Sequence, residues 1–244
     1  MRKKILLIFH NLNIEGAPTM LINAAKVLVG AGYSVSAVSL VDGVYRKELD
    51  RLNIPIEIWD SQMVNIKTDK YIMQFNLIIA NTVMAFSVVE RYNNTVPIMW
   101  YIHEGKSIKN FFGKNIPILD KLIKTQTNIV VVSEYVKEWI EKEYGVTNIS
   151  VLYNIIDTNM ESIKCLATSQ VREMEQVNFT YLGSIDEYKG LDVLLEANHR
   201  LEDRTKIHIN YAGNILSQSF YDTIVSRYRE DNLQYWGIVT GNDK

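Results

Sequence analysis

Short β-rich apolar runs alternate with helix-length amphipathic segments along almost the whole chain, the pattern of βα units feeding a parallel sheet. The strand-like runs are Lys4 to Phe9, Ser34 to Leu40, Pro55 to Trp59, Leu77 to Ala80, Pro97 to Ile102, Asn128 to Val132 and Ile149 to Leu152. Several are continuously apolar rather than alternating, as strands buried on both faces should be. Between them Leu21, Ala24, Ala25 and Leu28 fall at i, i+3, i+4 and i+7, one helical stripe that ends at Gly30 and Gly32. Val136, Trp139 and Ile140 repeat that spacing after Ser133, a good N-cap residue, with Glu134 where the helix dipole favours a carboxylate and Gly145 as the stop. The charge-free stretch Tyr71 to Val89 approaches membrane-spanning length, but Gln74, Asn76, Asn81 and Thr82 would be costly in hydrocarbon. It is expected to be a buried strand running into a helix.

From Tyr153 to Gln176 the periodicity fades into a polar stretch, which places a lobe boundary there and divides the chain into 1–160 and 161–244. Strand signals resume at Val177 to Leu182, expected to be buried, then at Lys206 to Ala212 and Leu233 to Trp236. One intervening helix is marked by Leu191, Leu194, Leu195 and Leu201, another spans Ser217 to Arg229. Only three strands follow the boundary, so the expected fold is α/β with two Rossmann-like lobes of parallel sheet, the second incomplete beside the first.

Composition narrows the function. A formal net charge of -2 and a pI near 6.1 remove any chain-wide electrostatic case for nucleic acid as partner. Cys165 is the only cysteine, so no internal disulfide forms and a reducing cytosol is the default. The apolar run after Met1-Arg2-Lys3-Lys4 stops at His10, too short for a signal-peptide core. The chain carries no G-x-G-x-x-G, no Walker A pattern, no G-x-S-x-G, and no cysteine pair or histidine cluster at metal spacing. It has no Asp-x-Asp pair either, the metal-carboxylate clamp on a sugar diphosphate.

What remains are loops at the carboxyl ends of strands, where open parallel sheets bind ligands. The first, His10 to Pro18, joins a strand to a helix start marked by Pro18, and Gly16 would let backbone N–H groups approach a ligand; a tight strand-to-helix turn explains it equally well. The second is Trp100 to Lys106, where a buried strand ends in His103, Glu104 and Gly105. Taken alone His103 reads as a satisfied structural histidine, but its place at a strand end beside an acid and a flexible glycine favours a site. Lys106 reads as an ordinary surface charge. The third, Gly183 to Gly190, precedes a helix with Lys189 and Gly190 at its start, where dipole, free N–H groups and an ammonium converge on a diphosphate; otherwise Lys189 is a solvated turn lysine.

Taken together and in this order, the motifs resemble glycosyltransferase family 4, retaining enzymes of the GT-B fold. Glu15-Gly16-Ala17 is similar to the family's acceptor-side Gly-Gly-Ala loop, with Glu15 replacing the first glycine. His103-Glu104 resembles the family's histidine after the fifth strand. Val131 to Glu134 and Val151 to Asp157 resemble the segment closing the first lobe, with Ile155 where a glycine is usual. Tyr181-Leu182-Gly183 through Lys189-Gly190-Leu191-Asp192 is similar to the donor-phosphate motif Gly-Arg-x-x-x-x-Lys-Gly, with Ser184 in place of the arginine. Trp236 to Lys244 resembles the middle of the second lobe, so the later Glu-x(7)-Glu motif is not in this sequence, and the chain is either a fragment of a longer enzyme or a shortened protein that need not catalyse by itself.

The resemblance implies a metal-independent, hexosyltransferase-type enzyme that moves a sugar from a nucleoside diphosphate donor to an acceptor hydroxyl with retention, in cell-surface polysaccharide or glycan synthesis, and with no cofactor beyond the donor itself. His103 and Glu104 would be catalytic, Asn13, Glu15, Gly16 and Ala17 would form the acceptor-side loop, and Gly183, Ser184, Lys189 and Gly190 would bind the donor. The expected partners are a nucleotide sugar and a glycan or lipid-linked acceptor, with no nucleic acid. A cytoplasmic location is expected, with the inner face of the membrane as its alternative: Phe111-Phe112 beside Lys106, Lys109 and Lys114 is a candidate membrane contact or equally a buried helix stripe. The rival readings are a non-catalytic GT-B-like binding subunit and a sugar-nucleotide epimerase.

Overall fold

In the computed structural model, residues 2–59, 66–106, 108, 116–126, 128–154 and 176–239 are described. They divide into two compact units, Met1–Asn159 and Met160–Lys244.

The first unit is built on seven parallel strands: β1 (Lys4–Phe9), β2 (Ser34–Ser39), β3 (Ile56–Ile58), β4 (Leu77–Asn81), β5 (Ile98–Ile102), β6 (Ile129–Val131) and β7 (Ile149–Val151). Their order across the sheet is β3-β2-β1-β4-β5-β6-β7. The helices are α1 (Gly16–Gly30), α2 (Arg46–Arg51), α3 (Ile66–Ile72), α4 (Phe86–Tyr92), α5 (Ile116–Thr125) and α6 (Glu134–Tyr144). Because successive side chains of a strand point to opposite faces, the apolar run of β1 feeds two cores. Leu6 and Ile8 join Ile78, Ile98, Trp100, Ile102 and Val131 in one. Ile5, Leu7 and Phe9 join Leu21, Ile22 and Ala25 of α1 in the other. The local signals act as chemistry dictates: Ser133 Oγ accepts the Val136 N–H at 3.3 Å to start α6, and Gly145 ends it in the left-handed conformation at φ 69°. Helix α1 begins at Gly16, two residues before the expected mark of Pro18, which lies within the first turn, where a missing N–H costs nothing.

The second unit holds a parallel sheet of β8 (Val177–Leu182), β9 (Ile207–Ala212) and β10 (Leu233–Tyr235), ordered β10-β9-β8, with α7 (Leu191–His199) and α8 (Gln218–Arg227). Two expectations need correction here. Strand β8 is not buried: it is an edge strand, paired among the described residues with β9 alone, and Val177, Phe179 and Leu182 are 50%, 47% and 59% exposed. Leu201 does not belong to the helical stripe, because α7 stops at His199, where Arg204 reaches back to the last carbonyls, its Nε donating to Asn198 O at 2.9 Å and its Nη2 to His199 O at 2.6 Å. The expected membrane contact involving Phe111, Phe112, Lys109 and Lys114 lies outside the described residues, as do Ile155 to Asp157 and Thr240 to Lys244 of the motifs above. Lys106 is exposed.

Candidate active site

The strand order reverses between β1 and β4. From β1 the chain proceeds outward through β2 to β3, then crosses to β4 and runs the other way, so the loops leaving β1 and β4 diverge and open a crevice at the carboxyl end of the sheet. Three sequence-expected or sequence-missed groups meet there: the loop after β1, the end of β4, and the end of β5.

His103 follows β5. Its Nε2 lies 2.8 Å from Oδ1 of Asn81, the last residue of β4, and its ring stands edge-on to Tyr101 with centroids 4.6 Å apart. Asn81 is fully buried, and its Nδ2 donates to the main-chain oxygen of Ala17 at 2.9 Å. One asparagine thereby ties the expected acceptor-side loop to the expected catalytic histidine. Burial pushes the His103 ring down to about 4, helped by His10 nearby, so the imidazole is neutral at neutral pH.

Glu104, expected to be catalytic, has its carboxylate engaged by main-chain donors. Its Oε2 accepts the N–H of Val83 at 3.1 Å and that of His103 at 3.2 Å. Burial pushes its carboxyl up while these backbone donors hold it down. It fastens the short 3-10 turn Val83–Ala85 to the start of the His103 loop. Thr82, one residue earlier, has φ 68° and ψ 164°, a conformation costly for a β-branched residue. Three bonds hold it: its N–H donates to Tyr101 O at 2.7 Å, its Oγ1 accepts from Met84 N–H at 3.1 Å, and its carbonyl accepts from Trp100 Nε1 at 2.8 Å.

In the β1 loop, Glu15 is the residue before α1, and its side chain does not cap the helix. Its Oε2 instead accepts from Asn11 Nδ2 at 3.3 Å and lies 3.6 Å from Nε2 of His10. The Asn13 N–H donates to Asn11 Oδ1 at 2.9 Å, closing the turn. Gly16 faces open space, so no neighbour demands a glycine there, whereas a side chain at Gly43 would strike the Leu12 main chain at 2.6 Å. The loops after β1 and β2 are pressed together at that point. A groove of about 360 Å³ lies at the opposite, amino ends of β4 to β7, lined by Leu77, Met99, Asn128 and Ser150 among others, and none of the residues above reaches it.

The expected donor loop belongs to the second unit. Gly190 takes φ 76° before α7, and Lys189 is exposed. Ser184 Oγ donates to Asp186 Oδ2 at 3.0 Å, and Asp186 Oδ1 accepts the Tyr188 N–H at 2.8 Å. The Gly183 N–H donates to Ala212 O at 3.1 Å.

Asn81, Thr82 and Tyr101 were not singled out for the site by sequence. The available signal was position: Asn81-Thr82 ends β4 as His103 follows β5, both at carboxyl ends of neighbouring strands. Among the described residues no group of three His, Cys, Asp or Glu side chains is placed to hold a metal ion. No helix among them is long and apolar enough to cross a membrane.

The profile of glycosyl-transferase family 4 matches residues 1–164, the unit that carries this crevice. The chain belongs to glycosyl-transferase family 4. An uncharacterized 41.2 kDa protein in the cps region of Klebsiella pneumoniae is 24% identical over 131 residues, which is 51% of this chain and 35% of that protein. The chain thus spans about a third of that relative. Among solved structures, Anabaena HepE in complex with UDP and glucose matches with TM-score 0.74 and 19% identity, over 98% of this chain and 70% of its own. A glycosyltransferase from Rickettsia africae matches with TM-score 0.60 and 17% identity, over 99% and 69%. These likenesses give the family 4 chain its fold, GT-B with two Rossmann-like lobes, the second smaller in the described residues.

Proposed function

We propose that this family 4 chain is the part of a retaining, metal-independent glycosyltransferase that binds a nucleoside diphosphate sugar and directs its sugar to an acceptor hydroxyl of a cell-surface glycan. The observation that carries this reading is the Ala17–Asn81–His103 linkage, which brings the loop after β1 and a neutral histidine to one crevice. The UDP and glucose in the HepE structure support the donor class, and the cps region that encodes the Klebsiella relative supports the glycan. Charge developing on the leaving diphosphate would meet Lys189 and the α7 N-terminus at Gly190, a placement where electrostatic stabilisation acts on the transition state. His103 would contact the sugar or acceptor near the reacting carbon. Glu104 is assigned to holding the His103 loop rather than to proton transfer, because its carboxylate is occupied by backbone donors.

The test is transfer of labelled sugar from UDP-sugars to an acceptor fraction by the protein and by its His103→Ala variant. Loss of transfer in the variant is expected; wild-type rates would remove His103 from the mechanism. A non-catalytic, sugar-nucleotide-binding role is the second reading, favoured by the Ser184 contact to Asp186, which puts an acid rather than an arginine beside the donor loop. Tight donor binding without transfer would select it.

A further inference from the structure

We propose that Asn81 is a positioning residue that holds His103 as the Nε2–H tautomer, leaving Nδ1 as the atom that accepts a hydrogen bond from a substrate hydroxyl. The argument is a chain of exclusions. The Ala17 oxygen is a main-chain carbonyl and can only accept, so the Asn81 atom 2.9 Å from it must be the amide nitrogen. The other terminal atom is then the amide oxygen, which can also only accept. The ring nitrogen 2.8 Å from that oxygen must therefore carry the hydrogen. Rotating the Asn81 amide by half a turn would set carbonyl against carbonyl, and complete burial gives the side chain no water to compensate.

With Nε2 committed, Nδ1 has no partner among the described residues, and the ring stays uncharged in its surroundings. The described groups that face it are Tyr101, edge-on from the end of β5, and His10 on the β1 loop. Glu104 directs its carboxylate to the Val83 and His103 N–H groups, and Glu15 lies against His10. Among the described residues, therefore, no carboxylate is placed to make His103 a cation. The histidine is an acceptor for a hydroxyl rather than a proton donor to the leaving group. Only the identity of that hydroxyl, a sugar or acceptor hydroxyl, rests on the glycosyl-transfer reading; the tautomer does not.

The experiment is 15N-histidine labelling of the whole chain, whose four histidines keep the spectrum assignable, with His103→Gln giving the assignment. Long-range 1H–15N correlation of the free protein at neutral pH is expected to show His103 with Nδ1 bare and an Nε2–H proton slow enough in exchange to be seen. Asn81→Leu is expected to abolish that slow proton. Asn81→Asp, which sets a carboxylate against Nε2, is expected to raise the His103 pKa by about 1–3 units and to move the acid limb of any transfer profile by the same amount. An Nδ1–H tautomer in the wild type overturns the proposal, as does an Nε2–H signal unchanged in Asn81→Leu. Should Asn81→Leu fail to fold, the wild-type tautomer and the Asn81→Asp shift decide. A correct tautomer without sugar transfer would instead count against the glycosyl-transfer reading alone.

Discussion

Gly213 stands directly against Gly183: a Cβ on Gly213 would lie 1.7 Å from the Gly183 carbonyl oxygen. The contact sets the loop after β9 on the first residue of the loop after β8, and Gly213 also takes φ 152°. Gly213→Ala therefore meets a steric overlap that no flexible side chain can relieve. It is expected to destabilise the second unit by more than about 2 kcal/mol, through strain of the kind that backbone overlap produces. Thermal melts of the whole protein, with amide exchange to locate the loss in 176–239, check this; an unchanged melt would contradict it.

Stability should fall as the solution is acidified from about pH 6.5 toward pH 4. His103 is held down at about 4 in the folded chain and regains its ordinary value when unfolded, so the unfolded state binds more protons in that window. The stabilisation is complete above the unfolded value and disappears as pH drops through the folded one, a change of at most about 3 kcal/mol. His10, depressed by burial, adds in the same direction. Glu104, pushed up by burial, acts with the opposite sign, because its protonation favours the folded state. Urea midpoints at pH 7 and pH 5 should differ less in His103→Gln than in the wild type.

Glu104→Ala leaves the Val83 and His103 N–H groups without their acceptor and is expected to cost about 1–3 kcal/mol. Glu104→Gln retains an oxygen at that position and should stay within about 1 kcal/mol of the wild type. If Glu104 itself moved the proton, Gln would instead abolish transfer while leaving stability intact. Denaturation midpoints and transfer rates measured on the same two variants distinguish the outcomes.

Lys189→Ala is expected to weaken binding of UDP-sugars by about tenfold or more, the loss of one charge-assisted contact to a diphosphate, with no change in melting temperature because the side chain is exposed. Ser184→Arg would place a cation beside Asp186 and is expected to tighten donor binding. Calorimetry with UDP-glucose reads both, and unchanged affinity in Lys189→Ala would remove this lysine from the donor site.

Much of the fold was legible because several strands of the first unit are apolar on both faces, and their runs are short, bounded and separated by helical periods. Lys4–Phe9 and Val177–Leu182 fall where their patterns place them. The burial of β8 was not legible: an apolar strand reads the same at the centre of a sheet and at its edge, and only pairing tells them apart. Asn81 was overlooked for a related reason. A single asparagine closing an apolar strand resembles turn chemistry, while its partners, Ala17 and His103, are 64 and 22 residues away in sequence. His103 and Glu104 stood out together as adjacent titratable residues at a strand end, but their neighbours separate them, one ring facing Asn81 and one carboxylate folded back on the main chain.

The crevice between β1 and β4 follows from the order in which strands are laid down, and no individual side chain creates it. Its walls include residues of the loop after β1 such as Asn13 and Glu15, which belong to neither core. Evolution can therefore rewrite those walls while the interior keeps the architecture standing. That separation explains how a protein sharing fewer than a fifth of its residues with this one, 19% for Anabaena HepE, retains a common frame.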